Sequence, residues 1–351
     1  MKHIFLVHSN ITYLASLGVI LKENLNINDV IIISTSKYER SNPIPIQSQL
    51  PRPIRQILFH PIDCVFSVKY IDKKISKFVD NQSFIAYIPA LLHIHSVVVT
   101  HPLCKGFHFI EEGLSVYREQ IDWHDVTYYT GFRPRYRYRG IGGFKQQIWD
   151  LSLLLRGYKL EIFKLPLLYN SYFNVYGLKF YGFSDDSFYG VRNLQRISLQ
   201  DVCDGFEWQC YYKNLNNVDI WLGQFSLAEK GEKKEDIDRY VNAIEQGCAK
   251  RLLEQKRKKI LVKFHPIEDL YSKQQTLEMF QRNGIDVEII PDNVVLEIEF
   301  FNAKNIRLYS VNSSLLMYAS FLGFECNSIC RFLPNHSNIQ IPAFRKRINV
   351  L

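Results

Sequence analysis

Residues 236–266 read DIDRYVNAIEQGCAKRLLEQKRKKILVKFHP, and the change of period inside this stretch decides the fold class. Ile237, Tyr240, Val241, Ile244, Cys248 and Leu252 recur at helical spacing, which makes one apolar stripe of an amphipathic helix. Lys250, Arg251, Lys256 and Arg257 crowd its far end, where cations are favoured by the helix dipole. Ile260 to Val262 then form a continuous apolar run, the pattern of a parallel strand covered on both faces. A helix feeding such a strand is the unit of a Rossmann-like α/β domain.

The same alternation extends outward in both directions. Asp219-Ile220-Trp221-Leu222-Gly223 reads as the preceding strand, with Val287 to Ile290 and Ile306 to Tyr309 as later ones. Towards the N-terminus, Ile4 to Val7, Val30 to Ile33 and Val97 to Val99 read as strands of a second sheet. The expected architecture is α/β with two Rossmann-like domains. Their boundary falls within 190–217, giving domains at 1–205 and 206–351.

Composition supports a folded, two-domain chain. Its 351 residues are 47% hydrophobic and 22% charged, which excludes disorder, collagen and coiled coil. A chain of that length buries about 75% of its unfolded surface without disulfides or metals. Forty-three Lys and Arg against 35 Asp and Glu give a formal charge of +8, so anionic partners are expected. Seven cysteines without CxxC pairing read as reduced thiols of a cytosolic protein. The opening MKHIFLVHSN turns polar after Val7, which fits a first core strand and neither a signal peptide nor a membrane span.

Three groups of residues stand where a strand gives way to a loop, the edge at which α/β sheets bind ligands. The first is Glu111-Glu112-Gly113, behind the strand-like Phe107 to Ile110. Adjacent, partly buried carboxylates suit a general base, since repulsion and desolvation raise one pKa; the plain alternative is a solvated turn. The second is Lys263-Phe264-His265-Pro266, where His265 can hold or protonate a departing phosphate with Lys263 on the same face. His60-Pro61 and His101-Pro102 repeat the dipeptide without a strand directly before it and read as structural. The third is Ser313-Ser314, opening a helix over Leu315 to Leu322 after the Ile306 to Tyr309 strand. Hydroxyls and free N–H groups together make an anion site there, or an ordinary N-cap. Upstream, Glu297 offers a carboxylate suited to a ribose diol, with Glu299 as the rival.

Other chemistries find little support. Asp236-Ile237-Asp238 matches an Asp-x-Asp metal motif but opens a helix, where acidic residues suit the dipole. His93 and His95 read as strand-like with no third ligand in register. The chain carries no Gly-x-Ser-x-Gly elbow, no GxGxxG after the first strand and no phosphate-binding P-loop; Gly140 to Gly143 read as a loop.

Taken in order, Glu111-Glu112-Gly113, His265-Pro266 and Ser313-Ser314 resemble the acidic-pair-Gly, His-Pro and serine-pair motifs of the bacterial sialyltransferases and polysialyltransferases. Val294-Val295-Leu296-Glu297 is similar to that family's Pro-Leu-Glu segment, with the proline displaced to Pro291. The resemblance spans about 107–323. It implies a GT-B architecture, two Rossmann-like domains whose sheets face across a cleft, with the acceptor entering from the N-terminal domain. It implies a CMP-activated nonulosonate donor, N-acetylneuraminate foremost, held by the C-terminal domain, and inverting transfer to a glycan or glycolipid hydroxyl in capsule or lipooligosaccharide synthesis. By motif, Glu111 is the base with Glu112 beside it, and His265 assists CMP departure. Gly113, Lys263, Pro266, Glu297, Ser313 and Ser314 bind the donor. No cofactor or divalent metal is implied. The Glu-Glu pair departs from the commoner Asp-containing forms and leaves the base open between Glu111 and Glu112. Pseudaminic, legionaminic and 3-deoxy-octulosonic acids share the CMP chemistry and are not separated by these residues.

The segment 131–183 has a separate character. Arg133, Arg135, Arg137, Arg139 and Lys145 interleave with Tyr136, Tyr138, Phe144 and Trp149. Such a pattern suits an anionic membrane surface, at about 1 kcal/mol per cation, or nucleic acid. The expectation is peripheral attachment to the inner face of the bacterial cytoplasmic membrane, without a nucleic-acid partner. A non-catalytic membrane- or nucleic-acid-binding protein built on this segment is the rival from another class.

Overall fold

The computed structural model describes residues 1–36, 38–50, 61–89, 93–117, 151, 154–158, 178–188, 191, 193–223, 233–333 and 342–351, with backbone alone at 61–68 and a few other helical positions. The chain divides into two compact units, Met1–Glu207 and Trp208–Leu351. Each is a parallel sheet flanked by helices, so both are Rossmann-like.

In the first unit the elements run β1 (Lys2–Val7), α1 (Asn10–Lys22), β2 (Val30–Ser34), β3 (Ser48–Gln49), α2 (Pro61–Phe78), β4 (Phe84–Ile88), α3 (His93–Thr100), β5 (Cys104–Ile110), β6 (Phe180–Gly182), β7 (Leu194–Arg196) and α4 (Leu199–Asp204). The sheet order is β3-β2-β1-β4-β5-β6-β7, and each described pairing is parallel. β2, Val-Ile-Ile-Ile-Ser, is buried at every residue, as a central parallel strand between two helical layers must be. α1 is apolar nearly all round and buried from Ile11 to Ile20. Gly18 lets α4 approach: a Cβ there would stand 3.1 Å from Ile197 and 3.4 Å from Val202.

The second unit runs β8 (Leu215–Asn216), β9 (Asp219–Leu222), α5 (Lys234–Ile244), α6 (Lys250–Glu254), β10 (Lys259–Lys263), α7 (Leu270–Arg282), β11 (Asp286–Ile289), α8 (Leu296–Glu299), β12 (Ala303–Lys304), β13 (Arg307–Ser310), α9 (Ser314–Phe321), β14 (Glu325–Ser328), α10 (Pro342–Arg347) and β15 (Asn349–Val350). A π-helical turn, Glu245–Ala249, joins α5 to α6. The six-stranded parallel sheet has the order β11-β10-β9-β13-β14-β15. The stripe read from the sequence is the core: Ile237, Tyr240, Val241, Ile244, Cys248 and Leu252 pack with Trp221, Ile260, Val262 and Met279.

One strand expectation fails. Val97 to Val99 lie in α3, not in a strand, and the sheet position beside β1 is taken by β4, Phe-Ile-Ala-Tyr-Ile. His93 and His95 are therefore helical as well. A three-residue β-branched run is too short for period to decide, and burial in the helix overrides its propensity. The segment from 131 onward, except for its short described parts, lies outside the described residues, and so do His60 and Gly140 to Gly143. The six described cysteines are free thiols.

Candidate active site

In the first sheet the strand order reverses between β1 and β4, and a ligand crevice is expected beyond the carboxyl ends at such a switch. β1 delivers His8 and Ser9 there, and β5 delivers Glu111, Glu112 and Gly113 one strand further on. Ser9 and Thr12 close a reciprocal capping box on α1. The Thr12 hydroxyl also accepts from the His8 N–H at 3.0 Å, so the loop bearing His8 is fixed. The His8 Nε2 atom stands 3.6 Å from Glu112 Oε1.

The two acids of the pair differ sharply. Glu111 is fully buried. Its Oε1 accepts from the Tyr117 hydroxyl at 2.8 Å, and its Oε2 accepts from the Phe183 N–H at 2.8 Å and the Ser187 hydroxyl at 3.0 Å. Gly182 makes room for this cradle, since a Cβ would fall 2.4 Å from Ser187 Cβ and 3.2 Å from Glu111 Oε2. Glu112 keeps 29% of its side chain exposed, and desolvation pushes its pKa above the usual carboxylate value. A carboxylate locked by three donors holds its neighbours; a half-buried, less acidic one can take a proton. The motif leaves the base open between the two, and their surroundings differ in this respect. Gly113 has φ +146 with open space around its absent Cβ; its need is conformational.

In the second sheet the reversal lies between β9 and β13. Loops leaving β9, β10 and β13 bring Gly223, His265 and the serine pair to one edge. His265 is half-buried and Pro266 exposed. Lys263 is oriented otherwise than expected: its Nζ donates to the carbonyls of Pro291 at 2.6 Å and Asp292 at 3.0 Å. Desolvation lowers its pKa, against the pull of Asp292 and Glu297. With two of three ammonium donors so used, it is a tether to the loop after β11.

Ser313 is the N-cap of α9, its hydroxyl accepting from the Leu315 N–H at 3.3 Å. Ser314 begins the helix. Both are half-buried, so the positive end of α9 opens at this edge. Of the two upstream acids, Glu299 is buried and accepts from the Tyr211 N–H at 2.8 Å and the Tyr212 N–H at 2.9 Å. Glu297, half-buried on α8, is the better placed for a ligand.

Sequence reading missed Glu268. It is 4% exposed, and its Oε2 accepts from the His265 N–H at 3.1 Å. It also missed His8, whose signal was a polar dipeptide straight after the first strand. The Asp-x-Asp pair makes helix-surface contacts, Asp236 with Arg239 and Asp238 with Tyr271. His101 is buried, its Nδ1 accepting from the Leu103 N–H at 3.1 Å and its Nε2 3.4 Å from Asp72. Among the described residues no group of three or more His, Cys, Asp or Glu is placed to hold a metal ion, and no helix is long and apolar enough to cross a membrane. A cavity of about 630 Å³ opens at the opposite, amino edge of the second sheet, lined by Tyr212, Asp219, Arg257 and Lys259 among others. There Asp219 is ion-paired with Arg257 and Arg307. It is away from the motif loops.

Two parallel Rossmann-like units in one chain are the architecture of the GT-B fold. Residues 234–327 match the family described as alpha-2,8-polysialyltransferase (POLYST). Over 99% of this chain and 78% of the other, the structure is similar to a 2,6-sialyltransferase of Vibrionaceae Photobacterium sp. JT-ISH-224, with TM-score 0.54 and 12% identity. That enzyme was captured with donor product CMP and acceptor substrate lactose. A sialyltransferase from Photobacterium damsela (12% identity, 100% and 81% coverage, TM-score 0.49) and the UDP-GlcNAc 2-epimerase of Methanocaldococcus jannaschii (11%, 100% and 89%, TM-score 0.49) are more distant in shape. No curated protein matches the chain in sequence. The family match falls within the second unit, and the likeness to the Photobacterium enzyme is one of fold.

Proposed function

We propose that the protein transfers a nonulosonic acid, N-acetylneuraminate foremost, from its CMP donor to a sugar hydroxyl of a bacterial surface glycan, with inversion. The observation that carries the chemistry is the asymmetry of the acid pair: Glu111 is locked in its cradle and Glu112 is half-buried and less acidic. Glu112 takes the proton of the acceptor hydroxyl as its oxygen attacks the anomeric carbon, while the bond to the CMP phosphate breaks. Glu111 positions Glu112 and the turn at Gly113. The CMP bound to the Photobacterium enzyme, and the lactose beside it, support this substrate class.

The donor is assigned to the second unit. His265 meets the phosphate and assists its departure, with Pro266 shaping the loop. Ser313, Ser314 and the N-terminus of α9 take phosphate or donor carboxylate, a geometry suited to anions. Glu297 takes the ribose hydroxyls, and Lys263 holds the loop that presents it. Leaving-group charge is met by these fixed dipoles and His265, so the reaction needs no divalent metal. CMP release with an acceptor should fall at least 100-fold in Glu112→Gln and in His265→Ala, on the order of general acid and base contributions. Wild-type turnover in both would overturn the assignment.

The Arg and Tyr alternation at 133–139 supports attachment to an anionic inner-membrane surface. Co-sedimentation with anionic but not neutral liposomes is expected; equal binding to both would contradict it.

A further inference from the structure

The loop that carries His265 is built on a buried acid to which none of the site's motifs refers. Glu268 lies at the second residue after Pro266, inside the turn, 4% exposed. Its Oε2 accepts from the His265 N–H at 3.1 Å, and its Oε1 accepts from the Ser272 hydroxyl of α7 at 3.2 Å. Its own N–H donates back to the His265 carbonyl at 2.9 Å. The loop is thereby closed on itself at both ends of one residue.

A third strand end completes the arrangement. A Cβ at Gly223, just past β9, would fall 2.2 Å from Glu268 Oε2, 2.8 Å from His265 N and 3.0 Å from Phe264 Cα. Gly223 also donates its N–H to the Lys263 carbonyl at 2.8 Å. The space at this position is filled by the Glu268 carboxylate, which meets β9, β10 and α7 together. Removing an acid from water in this way costs free energy, which its hydrogen bonds offset in part. Its side chain accepts two of the three hydrogen bonds, and its backbone N–H makes the third.

We propose that Glu268 is a positioning residue for His265: it fixes the backbone of the His-Pro loop so that the imidazole meets the departing phosphate. This rests on the site reading given above, in which His265 contacts the donor. Since a displacement of about 1 Å of a catalytic group can cost about 100-fold, loss of the carboxylate should be felt through His265 and through no other group.

The test is a double-variant cycle on acceptor-dependent CMP release from CMP-N-acetylneuraminate, with thermal unfolding recorded for every variant. Glu268→Ala is expected to lower kcat by about 10- to 100-fold with a small change in donor KM. Glu268→Gln, which keeps an acceptor for the His265 N–H, should recover most of that loss. The double variant Glu268→Ala with His265→Ala should be no slower than His265→Ala alone, because both act on one group. Additive losses in the double variant, or a Glu268→Ala enzyme with wild-type kcat beside an impaired His265→Ala, overturn the positioning role and leave the site reading standing. A fully active His265→Ala overturns the site reading and the positioning role with it. Should Glu268→Ala not fold, Glu268→Asp, which keeps the carboxylate and draws it back by one methylene, enters the same cycle with the same expected and contrary results.

Discussion

Glu111 and Glu112 are neighbours in the chain and opposites in the fold. Glu111 is saturated by Tyr117, Phe183 and Ser187, whereas Glu112 faces His8 across 3.6 Å with part of its side chain in solvent. Glu112→Gln should therefore lower kcat by about 100- to 10,000-fold with little change in unfolding. Glu111→Gln should destabilise the fold and lower kcat less, through the position of Glu112 alone. An amide nitrogen set among three donors leaves one of them unpaired, at a cost of about 1–3 kcal/mol, which reads as a lower melting temperature. Kinetics and thermal unfolding of the two single variants check both halves. The sequence alone could not make this separation, because both residues leave β5 together and both look like half of a motif. What divides them comes from residues about 70 positions later in the chain, brought in by Gly182.

At the scale of the element, strands were legible where they were long runs of apolar residues, and illegible where the run was short or mixed. Val30 to Ile33 is a strand because it is buried on both faces; Val97 to Val99 is equally buried in a helix. The helix-opening serines were legible as a pattern, and the structure divides their work. Ser313 caps α9, so Ser313→Ala should cost about 1 kcal/mol of stability and weaken donor binding. Ser314→Ala should raise donor KM with stability unchanged, since Ser313 alone supplies the capping hydroxyl. Calorimetric CMP binding beside thermal unfolding separates the two.

The loop between β10 and α7 carries a pH signature. Burial pushes Glu268 from the ordinary 4.5 up to about 7, against the hydrogen bonds from His265 and Ser272 and the charge of Lys273 on α7. The folded state thus binds its proton more tightly than the unfolded chain. Stability from this group is fully present below about 4.5 and is lost as pH rises through about 7. The unfolding free energy of wild type relative to Glu268→Gln should fall across that window. A difference that is flat from pH 4.5 to 7.5 would contradict the burial argument.

At the scale of the molecule, two parallel sheets offer polar edges of different character. The first edge carries carboxylates and a histidine; the second carries His265, a tethered lysine and an open helix N-terminus. The placement of the three short motifs at strand ends was legible in their order, because each follows a buried strand. The supports at Gly223, Glu268, Tyr117 and Ser187 were not, because they bear no motif and act only once the chain is folded. The most direct measurement is CMP release from CMP-N-acetylneuraminate with a panel of galactoside and sialoside acceptors in the presence of a chelator. Acceptor-dependent release that the chelator does not reduce is expected. Absence of both CMP release and CMP binding, or release abolished by the chelator and restored by a divalent cation, would contradict a metal-independent CMP-nonulosonate transferase.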